Sequence, residues 1–137
     1  MRPFPFLTTW QCLTVLRVAL GLMMMVHGAA RLYVGSVGAF GGFLNSKGLL
    51  IGPLLAWAVT VNDLIGGALL AMGYFRRWLS LGFILVMLGG ILLVHLPNGW
   101  FVVGHQQGGI EYNVLLILCF LLVASTNDIP ATLKREK

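Results

Sequence analysis

Charge is scarce in this chain. Of its 137 residues, 9% are Asp, Glu, Lys or Arg, and only four of them are acidic. A soluble domain carries about 25%, and a surface this poor in charge would not stay in solution. Cysteine is scarce too. Cys12 and Cys119 lie in or beside apolar runs and form no CxxC pair. That argues against a disulfide framework or a zinc site, and both thiols are expected among apolar side chains. No basic stripe with interleaved aromatics exists, so the net charge of +5 does not indicate nucleic acid. The glycine-rich stretch 35–49 ("GSVGAFGGFLNSKGL") follows no strand and leads to no GK[ST], which makes a phosphate cradle a poor reading. Ser36, Ser46, Ser80 and Ser125 have no base at a suggestive position, and a nucleophilic hydrolase is unsupported. No internal repeat is visible.

What remains is apolar: 58% of residues, with a mean hydropathy of +0.91. This is the composition of an integral membrane protein. Four runs, 11–34, 50–73, 78–97 and 110–126, each approach the roughly 17–25 residues that cross a bilayer. Open strands cannot satisfy their backbone in lipid, so the runs are helices. The expected fold class is all-α, a four-transmembrane-helix bundle forming one domain over residues 1–137. A cleaved signal peptide is the rival reading of "VALGLMMMV" and "HGAA". It would have a short apolar core and a long leader, so an uncleaved first span is expected.

Basic residues near span ends set the orientation. Arg2, Arg76, Arg77, Lys134, Arg135 and Lys137 fall on one side, against Arg31 and Lys47 on the other. Both termini are therefore expected in the cytoplasm, with the tail "NDIPATLKREK" frayed. Trp10, Trp78, Trp100 and Tyr112 fall at span ends, as in an aromatic belt. Stretch 35–49 reads as an interfacial segment with Phe40 and Phe43 toward lipid.

Ionisable residues inside a bilayer are costly and normally face the bundle interior with a partner. Here they are Arg17, His27 and Arg31 in the first span, Asp63 in the second, His95 in the third and Glu111 in the fourth. At 100° per residue, Arg17, Gly21, Met24, Gly28 and Arg31 share a stripe of the first helix, with His27 at its edge. Ala56, Thr60, Asp63, Gly67 and Ala71 share one on the second. Small residues at these spacings let the two stripes meet. Arg17 is expected to reach toward Asp63, as a structural polar pair, or to snorkel to the inner interface. With about 1.5 Å of rise per residue, His27, His95 and Glu111 stand roughly 22–25 Å up their helices, near the outer face. They are expected to line a shared pocket, capped by the loop "PNGWFVVGHQQGG".

Three chemistries fit such a cluster. A quinol headgroup needs proton acceptors at the interface and an apolar groove for its tail. Glu111, His95 and Asp63 would serve as the catalytic groups, with His27, Arg31, Trp100 and Tyr112 around the ligand. Haem b would take His27 and His95 as axial ligands, but matched depth alone does not select it. In the third reading the polar core only fixes the packing of a non-catalytic anchoring or assembly subunit. No metal site is expected.

The ordered set of motifs resembles the DoxX family of small four-helix membrane proteins. "LRVALGLMMMVHGAARL" is similar to the family's L-R-x-x-x-G…H-G-x-x-K-L, with Arg31 at its Lys. "VNDLIGGALLAMGYFRR" is similar to E-x-x-G-G…L-x-x-L-G-x-x-x-R, with Asp63 at its Glu. "LLVHLPNGWF" and "GGIEYNVLL" are also close to family wording. The resemblance implies a four-helix bundle in a prokaryotic cytoplasmic (inner) membrane. It further implies a role in a membrane redox system in contact with the quinone pool, since some relatives are subunits of a thiosulfate:quinone oxidoreductase. The implied partners are the lipid bilayer and a redox enzyme subunit, or a second copy of the chain. The family's frequent closing pattern G-x-G-x-x-S-x-D is replaced here by "ASTNDIPATL".

Overall fold

The computed structural model describes residues 6–104 and 107–126. The expectations for Arg2 and for the tail with Lys134, Arg135 and Lys137 lie outside these residues.

Helix α1 (Thr9–Tyr33) starts where Thr8 and Gln11 exchange side-chain hydrogen bonds with each other's backbone N–H groups. This reciprocal box satisfies two of the orphan donors at a helix start. A short helix α2 (Val37–Ser46) follows. The second span is composite: α3 (Gly52–Val61), a π-helical turn (Asn62–Gly66) and α4 (Gly67–Met72). It stops at Gly73, which takes φ +92°, a conformation that costs glycine little. Gly73 N–H then bonds Leu70 O and Tyr74 N–H bonds Leu69 O, the paired closure of a helix C-terminus.

The third span is also composite. Helix α5 (Arg76–Gly90) widens into a π turn (Ile91–His95) and tightens into a 3₁₀ turn (Leu96–Asn98). Helix α6 (Glu111–Ser125) is the fourth. Thr9–Tyr33, Gly52–Met72 and Arg76–Asn98 are long and apolar enough to cross a membrane, while α6 is apolar but shorter. The fold is thus an all-α bundle, and the described residues contain no strand. Large apolar side chains such as Leu22, Leu54, Trp57, Leu92 and Leu118 face outward, as contact with a bilayer demands.

Packing follows the small residues. A Cβ on Gly21 would come within 2.5 Å of Gly67 O, and one on Gly28 within 3.0 Å of Asp63 Cβ. The two stripes therefore meet, and α1 lies against α4 and the first π turn. Leu20, Leu70, Phe83 and Phe120 form the core between the spans, with the two phenyl rings stacked at 5.1 Å. A second cluster, Val37, Leu44 and Ala56, binds α2 to α3.

Two expectations are corrected. Phe40 and Phe43 do not point away into lipid; they pack on the α2–α3 cluster, because Val37, Gly41 and Leu44 turn that face of α2 inward. Cys12 is exposed on the first turn of α1, whereas Cys119 is half-buried against the core.

Candidate functional site

Asp63 is the most deeply buried charged group among the described residues, with 1% of its side chain exposed. It sits in the π turn of the second span. Such single-turn widenings occur often at functional positions. Gly28 brings α1 close at this level, and one turn further on Arg31 reaches across. Arg31 Nη2 donates to Asp63 Oδ2 at 3.0 Å, Nη1 donates to Thr60 Oγ1 at 3.1 Å, and the guanidinium lies 5.1 Å from the centre of the Phe40 ring. Asp63 Oδ1 is buried and has no hydrogen-bond partner.

Arg17 does not pair with Asp63. Its Nη1 donates to Leu70 O and Ala71 O at 2.7 and 2.5 Å. The cause is register: α1 runs antiparallel to the second span, which sets Arg17 beside the last carbonyls of α4, where helix acceptors lack a full set of intrahelical donors. Asp63 lies eight residues before Ala71, about 12 Å along the axis.

A cavity of about 260 Å³ opens beside the ion pair. His27, Arg31, Asp63, His95, Tyr112 and Asn113 contribute its polar lining, and Leu20, Met24 and Leu116 much of its apolar wall. His27 lies on the exposed side. His95 belongs to the second π turn, and its Nδ1 lies 2.6 Å from Gly108 O. A carbonyl only accepts, so Nδ1 carries the proton there, and in the neutral ring Nε2 keeps its lone pair. Tyr112 OH is 3.9 Å from Met23 Sδ, its acceptor.

Glu111 does not line this cavity. Its Oε1 accepts from Val102 N–H at 2.9 Å, and it stands in the first turn of α6, where a carboxylate favours the helix dipole. Around it, Gly99, Trp100, Phe101 and Val102 bond through their carbonyls to the amides of Ile110, Glu111, Gly109 and Gly108. The loop is folded back on itself, and Glu111 staples it. Trp100 likewise stays outside: its side chain is exposed and its carbonyl accepts from Glu111 N–H. The expected meeting of His27, His95 and Glu111 is thus corrected to His27 and His95 with Asp63 and Arg31. His105, also in this loop, lies outside the described residues.

Sequence reasoning missed Asn113, which is buried and lines the cavity. A signal was present. Asn113, Leu116, Phe120 and Val123 form the buried stripe of α6. Glu111, two residues earlier, is turned about 200° from Asn113 and cannot share its face. No group of three or more His, Cys, Asp or Glu among the described residues could hold a metal ion.

A small helical membrane bundle with a buried ion pair beside a ligand-sized cavity is the class that fold and site define. Residues 12–96 match the DoxX family model, and the chain belongs to that family. It is 30% identical over 114 residues, 83% of this chain and 78% of the relative, to a Bacillus subtilis (strain 168) protein named "Putative oxidoreductase CatD". No solved structure matches the chain.

Proposed function

We propose that this protein is a subunit of a membrane redox system, related in role to thiosulfate:quinone oxidoreductases, and that its cavity holds the headgroup of a quinone. Both termini face the cytoplasm and the cavity lies toward the outer face of a prokaryotic inner membrane. Family membership and the relative's name support the redox role. The observation that carries the quinone is Asp63, a buried carboxylate that lines the cavity, pairs with Arg31 through Oδ2 and leaves Oδ1 without a hydrogen-bond partner. A buried acceptor left unmade costs about 1–3 kcal/mol, and a quinol hydroxyl would satisfy it.

The volume fits this reading. One benzene ring occupies an engineered cavity of about 150 Å³, so about 260 Å³ accommodates a substituted ring. It counts against a haem b between His27 and His95, since four pyrrole rings need several times the space of one benzene.

A quinone becomes a quinol by gaining two electrons and two protons. The electrons come from a redox partner protein. His95 Nε2 and Asp63 Oδ1 exchange protons with the two ring oxygens, while Arg31 and Asn113 donate hydrogen bonds to the carbonyl form. The test is quinone-dependent turnover by the complex isolated from native membranes. Asp63→Asn and His95→Gln should each lower it by about a hundredfold, the scale of a lost general acid or base, at equal yield of complex. Wild-type turnover in both would leave the chain a non-catalytic anchor.

A further inference from the structure

Next to the polar cavity lies a second hollow of about 310 Å³, and its lining is almost wholly apolar. Phe40 and Phe43 of α2, Leu55 of α3, and Leu85 and Leu93 of the third span form its walls. The two hollows share Arg31, Val86 and Gly90. We infer that they form one bipartite site for a long-tailed quinone, with the ring beside Asp63 and the isoprenoid tail running past Arg31 and Gly90 into the groove between α2 and the third span.

This inference rests on the quinone reading and adds what that reading leaves open, the ligand's tail. A ring-sized cavity with an unsatisfied carboxylate, opening onto an apolar groove, calls for a molecule with a hydrogen-bonding head and an apolar tail. The junction is built to pass one. At Gly90 a Cβ would stand 3.4 Å from Asn113 Nδ2 and 3.8 Å from His95 Cδ2, between the two compartments. At Gly89, which lines only the groove, a Cβ would meet nothing within 4 Å. Missing side chains at both positions therefore widen the path. The Phe40 ring lies 5.1 Å from the Arg31 guanidinium and lines the groove with it, so an apolar face stands beside the charge for a passing tail. Phe40 and Phe43 thus gain a role as the tail's outer wall.

Gly89 also supplies the test, because it lines the groove and a Cβ there has nothing within 4 Å. The full chain in nanodiscs is titrated with ubiquinone-0, which has no tail, and with ubiquinone-4, which has four isoprene units. The wild type should bind ubiquinone-4 at least about tenfold more tightly after correction for partitioning into lipid. Gly89→Leu should bring that ratio to within about twofold of one. A diazirine at the tail end of ubiquinone-4 should label peptides containing Phe40, Phe43 or Leu93 in the wild type, a readout that does not depend on any variant folding. An unchanged ratio in Gly89→Leu, or labelling confined to other surfaces, would mean that bulk lipid fills the groove and would overturn the tail site. Failure of ubiquinone-0 to bind the wild type, or equal ubiquinone-0 affinity in a folded Asp63→Asn, would instead overturn the headgroup reading.

Discussion

Asp63 and Arg31 can be glue, ligand site or both, and substitution separates these roles. Removing one partner of a buried pair costs about 3–5 kcal/mol, whereas replacing both with apolar residues of similar size is often neutral. Asp63→Leu alone should therefore destabilise the protein by about 3 kcal/mol, and the Arg31→Met/Asp63→Leu double variant should recover most of that loss. Unfolding in mixed micelles measures both. The double variant should still fail to bind quinone; retained binding would reduce the pair to packing. Glu111 is expected to behave differently. Glu111→Ala should speed hydrogen exchange at the Val102 amide, whose acceptor is Glu111 Oε1, while Glu111→Gln keeps an acceptor oxygen and should stay near wild type. Much of this site was legible because an ion in an apolar run is conspicuous: Asp63, Arg31, His27 and His95 stood out on that ground. Asn113 did not, since an uncharged amide raises no alarm in a hydropathy pattern. Glu111 was misassigned because depth along a helix says nothing of azimuth.

The helices meet through their smallest residues, and the cost of enlarging one can be stated. Gly21→Leu would drive a side chain into Gly67 O and Ala71. Overpacking of this kind typically costs about 1–3 kcal/mol, and here it should also part Arg31 from Asp63, lowering quinone affinity along with stability. Gly42→Leu, where a Cβ meets nothing within 4 Å, is the control that should leave stability unchanged. Both are read from thermal unfolding in the same detergent. The span ends were readable from hydropathy to within two residues: 11–34 against Thr9–Tyr33, and 78–97 against Arg76–Asn98. The π turns at Asn62–Gly66 and Ile91–His95 were not. A single widened turn changes which face a residue takes but barely alters the apolar pattern. Those two turns carry Asp63 and His95, so the sequence named the residues without revealing what aims them. Helix α2 was hidden for a related reason: ten residues rich in glycine look like a surface segment until α3 is present to cover them.

The proposed placement of the polar chamber toward the outer face rests on the basic residues near the span ends. With Cys12 and Cys119 replaced by Ala, Gln107→Cys should react with a membrane-impermeant maleimide added outside the inner membrane. Arg77→Cys should react only after the membrane is opened. The reverse pattern would invert the topology and put the chamber toward the cytoplasm. Apolar content was enough to read a four-helix membrane bundle, because lipid permits few alternatives. A shared polar pocket was readable from the depth of the ionisable residues, but its full lining was not, because it is assembled from all four spans and no single segment encodes it. Whether a quinone ring occupies that chamber can be weighed. Native mass spectrometry of the full chain, released from nanodiscs made with ubiquinone-4, should find one quinone bound per wild-type chain and none on a folded Asp63→Asn variant. Equal occupancy of the two, or none on either, would contradict a headgroup held by Asp63.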